Sequence, residues 1–163
     1  SHTGAADLAA SLGARSVEHL EYLADESIPR LAAAGTICTL LPGAALTLRL
    51  PFPDARRLLD GGCEVALGTD LNPGSSYTDD LPLMMSLACM QMGMSCAEAW
   101  RAVTVAPARA VGRPDCGHLA PGTRGDLVLW SLADEREILQ RFGGRFVDRV
   151  VVRGRQLPIS PRP

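Results

Sequence analysis

The stretch TICTLLPGAALTLRLPFPDARRLLDGGCEVALGTDLNPGSS, residues 36–76, decides the fold class of this chain. Residues 36–41 are apolar and β-branched and are followed by a Pro-Gly pair, so they predict a strand. Residues 53–61 predict a helix, and residues 63–69 predict a second short strand, which is apolar and bounded by glycines. A strand, a helix and a strand in close succession are typical of a parallel sheet covered by helices.

The same alternation continues on both sides of this stretch. In chain order, the other predicted elements are a helix at 5–13, a strand at 16–20, a helix at 25–35, a long apolar helix at 78–94 and a helix that opens with a capping box at 95–98. Three strands are too few to close a barrel. The pattern therefore leaves two alternatives open, which are a small open α/β domain and the C-terminal part of a (β/α)₈ barrel.

The chain changes character after residue 115. Residues 118–130 are rich in turn-forming residues and end in an apolar strand pattern. Residues 148–155 form a second strand pattern, which ends at a glycine turn. We therefore expect two parts: α/β units at residues 1–115 and a small β layer at residues 116–163.

The composition limits the classes of function. The chain has 163 residues, of which 47% are hydrophobic, and this is sufficient for a packed core. Its formal net charge of −2 lacks the basic excess of nucleic-acid-binding proteins, so we expect no nucleic-acid partner. Pro, Gly or Arg interrupts each apolar stretch before it reaches a bilayer-spanning length, so we expect no membrane partner.

The cysteines indicate a compartment. The chain has five of them, an odd number without a CxxC pair, at Cys38, Cys63, Cys89, Cys96 and Cys116. This spacing favours free thiols in a reducing cytoplasm over a disulfide framework, and it lacks the clustering of a zinc–thiolate site. The first ten residues also lack the charged and apolar regions of a signal peptide. We therefore expect a cytoplasmic protein.

Asp70 is the first candidate for chemistry. It follows an apolar strand pattern and precedes Asn72-Pro73-Gly74-Ser75, a rigid turn of small polar residues. A carboxylate in this position is typical of a ligand or metal site, and it is also typical of a turn or a helix cap. The residue pattern leaves both interpretations open.

Five motifs that follow one another along the chain resemble a single enzyme family. They are VEHLEY (17–22), LLPGA (40–44), GTDLNPGSS (68–76), VTVAPARA (103–110) and GHLAPGTRGDLV (117–128). Together they resemble the imidazolonepropionases of the amidohydrolase superfamily over nearly the whole chain. The last two motifs occur across the superfamily, whereas HLEY, LLPGA and TDLNPGSS in combination are specific to this family.

The resemblance implies a fold and an incomplete chain. Residues 1–115 would form the C-terminal part of a (β/α)₈ barrel, and residues 116–163 would form strands of a small β-sandwich domain. Members of the family are longer, so we expect this chain to correspond to their C-terminal part. The metal-binding histidines of the family have no match in this chain. His2 lies near one of their positions but does not match it.

The resemblance also implies an activity and its residues. The reaction is the hydrolysis of 4-imidazolone-5-propanoate to N-formimidoyl-L-glutamate in histidine degradation. Asp70 would bind one divalent metal ion per subunit, Zn or Fe, and would help take a proton from water. His19 would bond the attacking water or the carbonyl group and help move protons, although a lone histidine is more often structural. Asn72, Gly74 and Ser75 match the substrate-binding loop, and the family enzyme is expected to be a homodimer.

The remaining polar residues have simpler interpretations. We expect Asp79 and Asp80 to cap the next helix. Glu18 and Glu21 are expected to be structural and to lie on other faces than His19 or beyond its strand. His118 is expected to be exposed on the surface. Five methionines follow the apolar helix pattern and are expected to fill the core; they are Met84, Met85, Met90, Met92 and Met94.

Two alternative functions remain open at the level of sequence. The first is another cyclic-amide amidohydrolase, similar to dihydroorotase or hydantoinase, in which two metal ions are bridged by a carboxylated lysine. This chain contains no lysine, although the matching strand would lie upstream of it. The second alternative is a non-catalytic α/β module.

Overall fold

The structure is a computed structural model that describes residues 3–159. The strands are β1 (Ser16–Glu18), β2 (Ile37–Leu40), β3 (Val65–Leu67), β4 (Leu127–Trp130), β5 (Val147–Val152) and β6 (Arg155–Leu157). The helices are α1 (Ala5–Ser11), α2 (Ile28–Ala34), α3 (Pro42–Leu48), α4 (Ala55–Asp60), α5 (Leu81–Gln91), α6 (Cys96–Ala102), α7 (Val105–Ala110) and α8 (Glu137–Gln140), with a 3₁₀ turn at Asp25–Ser27. This order confirms the predicted α/β class.

The first three strands form a parallel sheet in the order β1-β2-β3. Glu18 is paired with Thr39, and Thr39 is paired with Ala66, so these three residues lie in one row across the sheet. In a parallel sheet the carboxyl ends of all strands meet at one edge. His19 follows β1 and Asp70 follows β3, and both therefore lie at this carboxyl edge.

The main core lies on one face of the parallel sheet. Its members include Cys38, Leu40, Val65 and Leu67 from the strands and Ile28, Leu31, Ala55, Leu58, Met85, Ala88, Ala99 and Ala102 from the helices. Side chains alternate between the faces of a strand, so Ile37 and Ala66 point to the opposite face. There they form a smaller cluster with Ala106 of α7.

Helix α3 differs from the sequence prediction. The Pro-Gly pair after β2 was expected to close the strand, but Pro42 instead begins a helix, as proline does readily at a first helical turn. Gly43 is required there by a close approach, because a Cβ atom on it would lie 2.4 Å from Ser76 Oγ. The LLPGA motif therefore fits directly against the loop after β3.

Helix α5 is shorter than its apolar pattern predicted. Asp80 begins it as a cap, accepting a hydrogen bond from the Leu83 backbone nitrogen at 2.9 Å. Gly93, with φ 72°, follows its end. Met84, Met85, Met92 and Met94 are buried as expected. The expectation for Met90 was wrong, because its side chain lies on the outer face of α5 and is 54% exposed.

The C-terminal strands form an antiparallel sheet in the order β4-β5-β6. Trp130 of β4 contacts Trp100 of α6 edge-to-face, with the ring centroids 5.7 Å apart. Ile138 and Phe146 are buried in the same core as the helices around the parallel sheet. A β layer after residue 115 was predicted, and within residues 3–159 this layer is a single three-stranded sheet.

None of the helices in the described part of the chain has both the length and the apolar content needed to cross a membrane.

Candidate active site at the carboxyl edge of the parallel sheet

His19 is held in place at the end of β1 by its backbone. Its nitrogen donates to the carbonyl oxygen of Thr39 at 3.0 Å, which continues the pairing with β2 by one residue. Its φ of 75° and the φ of 72° at Leu20 are both left-handed. Two successive residues in this conformation turn the chain sharply, and the imidazole is left half exposed.

Glu21 lies beyond β1, which agrees with one of its two expected placements, and its side chain contacts His19. Its Oε1 is 3.3 Å from His19 Nδ1, and its side chain is 8% exposed. Sequence alternation did not find this contact because Glu21 lies beyond β1, after the left-handed turn. Glu18 is exposed, and its Oε1 accepts a hydrogen bond from Ser16 Oγ at 2.6 Å.

Asp70 lies three residues beyond β3, at the first left-handed position of the following loop. The Gly68 backbone nitrogen donates to Leu40 O at 3.1 Å, and Asp70 has a φ of 51°. The side chain of Ser75 reaches back to Asp70, with Ser75 Oγ 3.4 Å from Asp70 Oδ2. Helix α5 is capped by Asp80, so Asp70 is not the cap of the next helix.

Asn72 organises the loop that follows Asp70. Its Oδ1 accepts hydrogen bonds from the backbone nitrogens of Gly74 and Ser75 at 2.9 and 2.8 Å. Its Nδ2 donates to Asp70 O at 2.6 Å and to Ser75 Oγ at 2.9 Å. The amide group of Asn72 is thus occupied within the loop, where it fixes the position of Ser75 beside Asp70.

Ser76 anchors this loop to the rest of the protein. Its side chain is 1% exposed, and its hydroxyl donates to the carbonyl oxygen of Thr69. Its backbone carbonyl accepts a hydrogen bond from the Asn72 nitrogen at 3.0 Å. With the close approach of Gly43, these contacts tie the loop to the end of β3 and to helix α3.

The structure brings the predicted site residues to one edge of the sheet, in two groups. Asp70, Asn72, Gly74 and Ser75 form one hydrogen-bonded loop, and His19 lies two strands away. Neighbouring strands are about 4.8 Å apart, so the ends of β1 and β3 are roughly 10 Å apart. A small molecule bound above β2 could therefore contact both groups.

The described residues do not make up a metal site by themselves. Within residues 3–159 there is no cluster of three or more His, Cys, Asp or Glu side chains that could hold a metal ion. Catalytic zinc generally has about three protein ligands, and Asp70 supplies one carboxylate. His2 lies outside the described residues. His118 is exposed as predicted, with Nδ1 3.1 Å from the carbonyl oxygen of Cys116.

Two of the cysteine thiols, Cys38 and Cys89, are held in the neutral form. All five are free, and Cys38 and Cys63 are buried next to one another in the core. The hydrogen bond from Cys63 and burial raise the pKa of Cys38 well above its usual range. Burial also raises the pKa of Cys89 to about 11. Because a thiol must be deprotonated to act as a nucleophile, neither Cys38 nor Cys89 is active at neutral pH.

Comparison with known proteins places these features in a family. The model of the amidohydrolase family matches residues 2–157. The chain is 47% identical to an imidazolonepropionase from Geobacillus kaustophilus over 153 residues, covering 93% of this chain and 36% of that protein. It is 44% identical to an imidazolonepropionase from a Geobacillus species over 160 residues, covering 98% of this chain and 38% of that protein. The chain thus spans little more than a third of the length of these curated relatives.

A solved structure is similar to this chain in its fold. A mutant of the atrazine chlorohydrolase TrzN from Arthrobacter aurescens TC1, complexed with zinc and atraton, superposes with a TM-score of 0.80 at 25% sequence identity. The match covers 87% of this chain and 35% of the chlorohydrolase chain. The chain belongs to the amidohydrolase family.

Proposed function

We propose that this chain acts as the C-terminal part of an imidazolonepropionase, which hydrolyses 4-imidazolone-5-propanoate to N-formimidoyl-L-glutamate. The observation that carries this proposal is the 44–47% identity to imidazolonepropionases over at least 93% of the chain. The site supports it, because enzymes built on (β/α)₈ barrels keep their active sites at the carboxyl ends of the strands. TDLNPGSS, one of the three motifs that in combination are specific to the family, lies there.

The proposal includes the wider fold. Strands β1–β3 would be three of the eight barrel strands, with residues 1–115 in the barrel and residues 116–163 in a small β-sandwich domain. The parallel sheet supports this, since within the described residues β1 and β3 each pair on one side only. The likeness of the chain to the chlorohydrolase TrzN over 35% of that protein is also what a part of a larger domain would give.

Asp70 would contribute one ligand to a divalent metal ion, Zn or Fe, with the other ligands supplied by residues outside this chain. Its carboxylate is a suitable donor, because it is half buried and its position is set by the loop that Asn72 holds. A bound divalent ion would supply a water molecule acidic enough to react as hydroxide at neutral pH. Residues 3–159 of this chain do not complete that metal site.

His19 would act on the substrate and its protons. In the reaction, water adds to a carbonyl carbon of the ring, the cyclic C–N amide bond breaks and the leaving nitrogen gains a proton. An imidazole that is half exposed at the carboxyl edge can accept a hydrogen bond from the attacking water and help carry that proton. Asp70 would accept a proton from the attacking water.

The loop from Asn72 to Ser75 would bind the rest of the substrate. Asn72 would act by holding the loop rigid, Gly74 by permitting close approach of the backbone, and Ser75 by offering its hydroxyl to a polar group of the substrate. The family likeness also supports a homodimer. The five free cysteines support a cytoplasmic location.

The test uses a fusion protein. In it, the upstream part of the imidazolonepropionase from Geobacillus kaustophilus is joined to the N-terminal end of this chain. The fusion is supplied with Zn²⁺ and assayed with 4-imidazolone-5-propanoate, dihydroorotate and hydantoin, and the chain alone and the whole relative serve as controls. We expect the fusion to hydrolyse only 4-imidazolone-5-propanoate and the chain alone to be inactive. Preference for another cyclic amide would contradict the assigned substrate. Turnover by the chain alone would overturn the count of metal ligands.

A further inference from the structure

We propose that Glu21 is a positioning residue for His19, whose imidazole it orients and whose tautomer it selects. Glu21 would accept a hydrogen bond from Nδ1–H of His19, which leaves Nε2 unprotonated and free to act at the carboxyl edge. This inference rests on the proposed function, in which His19 moves protons during hydrolysis.

The contrast in burial between the two side chains is the first observation. The Glu21 side chain is 8% exposed, whereas that of His19 is 50% exposed, and Oε1 and Nδ1 are 3.3 Å apart. A buried carboxylate is unfavourable unless it has a hydrogen-bonding partner. Within residues 3–159 the side chain of Glu21 has its hydrogen bond with His19 and no other. The Glu21 carboxylate is therefore a buried hydrogen-bond acceptor beside the exposed ring of His19.

The backbone that joins the two residues is the second observation. His19 and Leu20 are both left-handed, with φ of 75° and 72°. Residues other than glycine rarely adopt this conformation, and it is least favourable for a bulky side chain such as that of Leu20. The Leu23 nitrogen donates to Leu20 O at 3.3 Å, which closes the turn. Strained backbone of this kind is concentrated at functional sites, and here it brings Glu21 back below His19.

The space around the ring is the third observation. His19 and Glu21 line a cavity of about 370 Å³ between the segment after β1 and the start of α1, which includes Gly4 and Asp7. An exposed ring that borders a cavity is not fixed by packing. Among the residues that the structure describes, the hydrogen bond to Glu21 is therefore the contact that can fix its orientation.

The chemistry of imidazole explains what this contact achieves. In a neutral ring one nitrogen carries a proton and the other can accept one. Free histidine in water favours the tautomer with the proton on Nε2. A carboxylate at Nδ1 favours the opposite tautomer, so that Nε2 becomes the acceptor. That is the nitrogen that His19 needs for taking up a proton at the carboxyl edge.

The test is a ¹⁵N NMR measurement of the tautomer of His19 in the whole chain, at a pH where the ring is neutral. The chain has only three histidines, so the signals of His19 can be assigned from their loss in His19→Gln. We expect the Nδ1–H tautomer in the wild type and in Glu21→Gln, whose amide oxygen still accepts a hydrogen bond. We expect the Nε2–H tautomer in Glu21→Met.

The matched control is Glu18→Met, which removes the other neighbouring carboxylate and should leave the Nδ1–H tautomer in place. An identical tautomer in the wild type and Glu21→Met would overturn the proposal, as would an equal change in Glu18→Met. Far-UV circular dichroism establishes that each variant is folded. If Glu21→Met does not fold, the tautomer of His19 in the wild type tests the proposal. The Nδ1–H tautomer would support it, and the Nε2–H tautomer would contradict it.

Turnover in the fusion enzyme then tests the role in the reaction. Glu21→Met should lower kcat by about 10- to 100-fold with KM changed less than about 3-fold, and Glu21→Gln should recover most of kcat. An unchanged kcat in Glu21→Met would overturn the role. The tautomer is measured without turnover. An inactive fusion would therefore count against the proposed function, whereas the effect of Glu21 on the His19 tautomer would still be decided by NMR.

Discussion

His19 and Asp70 have the same backbone feature. Each has a left-handed φ, 75° and 51° respectively, just after a strand of the parallel sheet. Histidine and aspartate tolerate this conformation better than most residues. In each case the turn brings back a side chain that contacts the candidate residue, Glu21 for His19 and Ser75 for Asp70. Each candidate residue is therefore positioned by a neighbour in its own loop.

The site residues differ in how far the sequence could predict them. Asp70 and its loop could be found, because an Asn-Pro-Gly turn after an apolar strand has a recognisable pattern. The contact of Glu21 could not, because it depends on two left-handed residues that no local pattern requires. The role of Gly43 could not either, since it arises from the approach of Ser76, which is distant in sequence.

Gly43→Ala is expected to destabilise the protein by about 1–3 kcal/mol, measured by urea unfolding. The added Cβ would lie 2.4 Å from Ser76 Oγ and 3.2 Å from Met84 Sδ, and the Ser76 hydroxyl is held by Thr69. The control is a double-mutant cycle with Ser76→Ala, which removes the nearest atom. The double variant should lose less stability than the sum of the single variants. Strict additivity would mean that Gly43 and Ser76 do not touch.

Among the elements, the start of α6 was predicted correctly, because its capping box is a local signal. Ser95 Oγ accepts a hydrogen bond from the Glu98 nitrogen at 3.3 Å, and Glu98 Oε2 accepts one from the Ser95 nitrogen at 2.8 Å. The backbone of Ser95, its hydroxyl and the guanidinium of Arg56 lower the pKa of Glu98 below its ordinary value of 4.5. The folded state therefore favours the charged form of this carboxyl group.

This lowered pKa predicts a pH dependence of stability. A carboxyl group with a depressed pKa stabilises the fold above its unfolded-state pKa, and this contribution is lost as the pH falls through the folded-state pKa. Glu98→Gln should therefore lower the free energy of unfolding by up to about 1 kcal/mol at pH 7. The difference from the wild type should shrink below about pH 4.5. Urea midpoints across this range measure it, with exposed Glu26→Gln as the control. A difference independent of pH would contradict the assignment.

Helix α3 was not predicted, and helix α5 was predicted too long, because both depend on tertiary contacts and caps. The LPGAAL segment contains a Pro-Gly pair, which is usually a turn signal, but Ala44 and Ala45 are buried and stabilise it as a helix. The helix predicted at residues 78–94 extends beyond α5 at both ends. Asp80, which was expected to cap this helix, sets its start, and Gly93 follows its end.

At the scale of the whole molecule, the core connects the two predicted parts of the chain. Ile138 is 1% exposed and Phe146 is 4% exposed, and both belong to the core around the parallel sheet. Trp100 and Trp130 are in contact across the same junction. The division at residue 115 stays a prediction. These contacts imply that the two parts unfold together.

The unfolding of the chain should therefore be a single transition, coincident by tryptophan fluorescence and far-UV circular dichroism. Ile138→Ala should lower the free energy of unfolding by about 2–5 kcal/mol and shift both signals equally, because it leaves a cavity in the shared core. Ile159→Ala, at a side chain that is 47% exposed, is the matched control and should have little effect. Two separate transitions would show that the C-terminal sheet is an independent unit.

The carboxyl edge gives the molecule its function in this account. It brings Asp70 and His19 to one side of the sheet, yet within residues 3–159 it does not hold a complete set of metal ligands. The chain spans 36–38% of the length of its curated relatives. Under the proposed function, Asp70 is a metal ligand in a site that residues outside this chain complete.

Metal content and turnover of the fusion enzyme, compared between Asp70→Asn and Asp60→Asn, test this claim most directly. Asp60 is an exposed aspartate that pairs with Arg56, so its variant controls for loss of a carboxylate. We predict that the parent fusion holds one divalent ion per subunit. Asp70→Asn should lose most of that metal and lower turnover by about 100-fold or more, and Asp60→Asn should match the parent. Full metal content and turnover in Asp70→Asn would contradict the account.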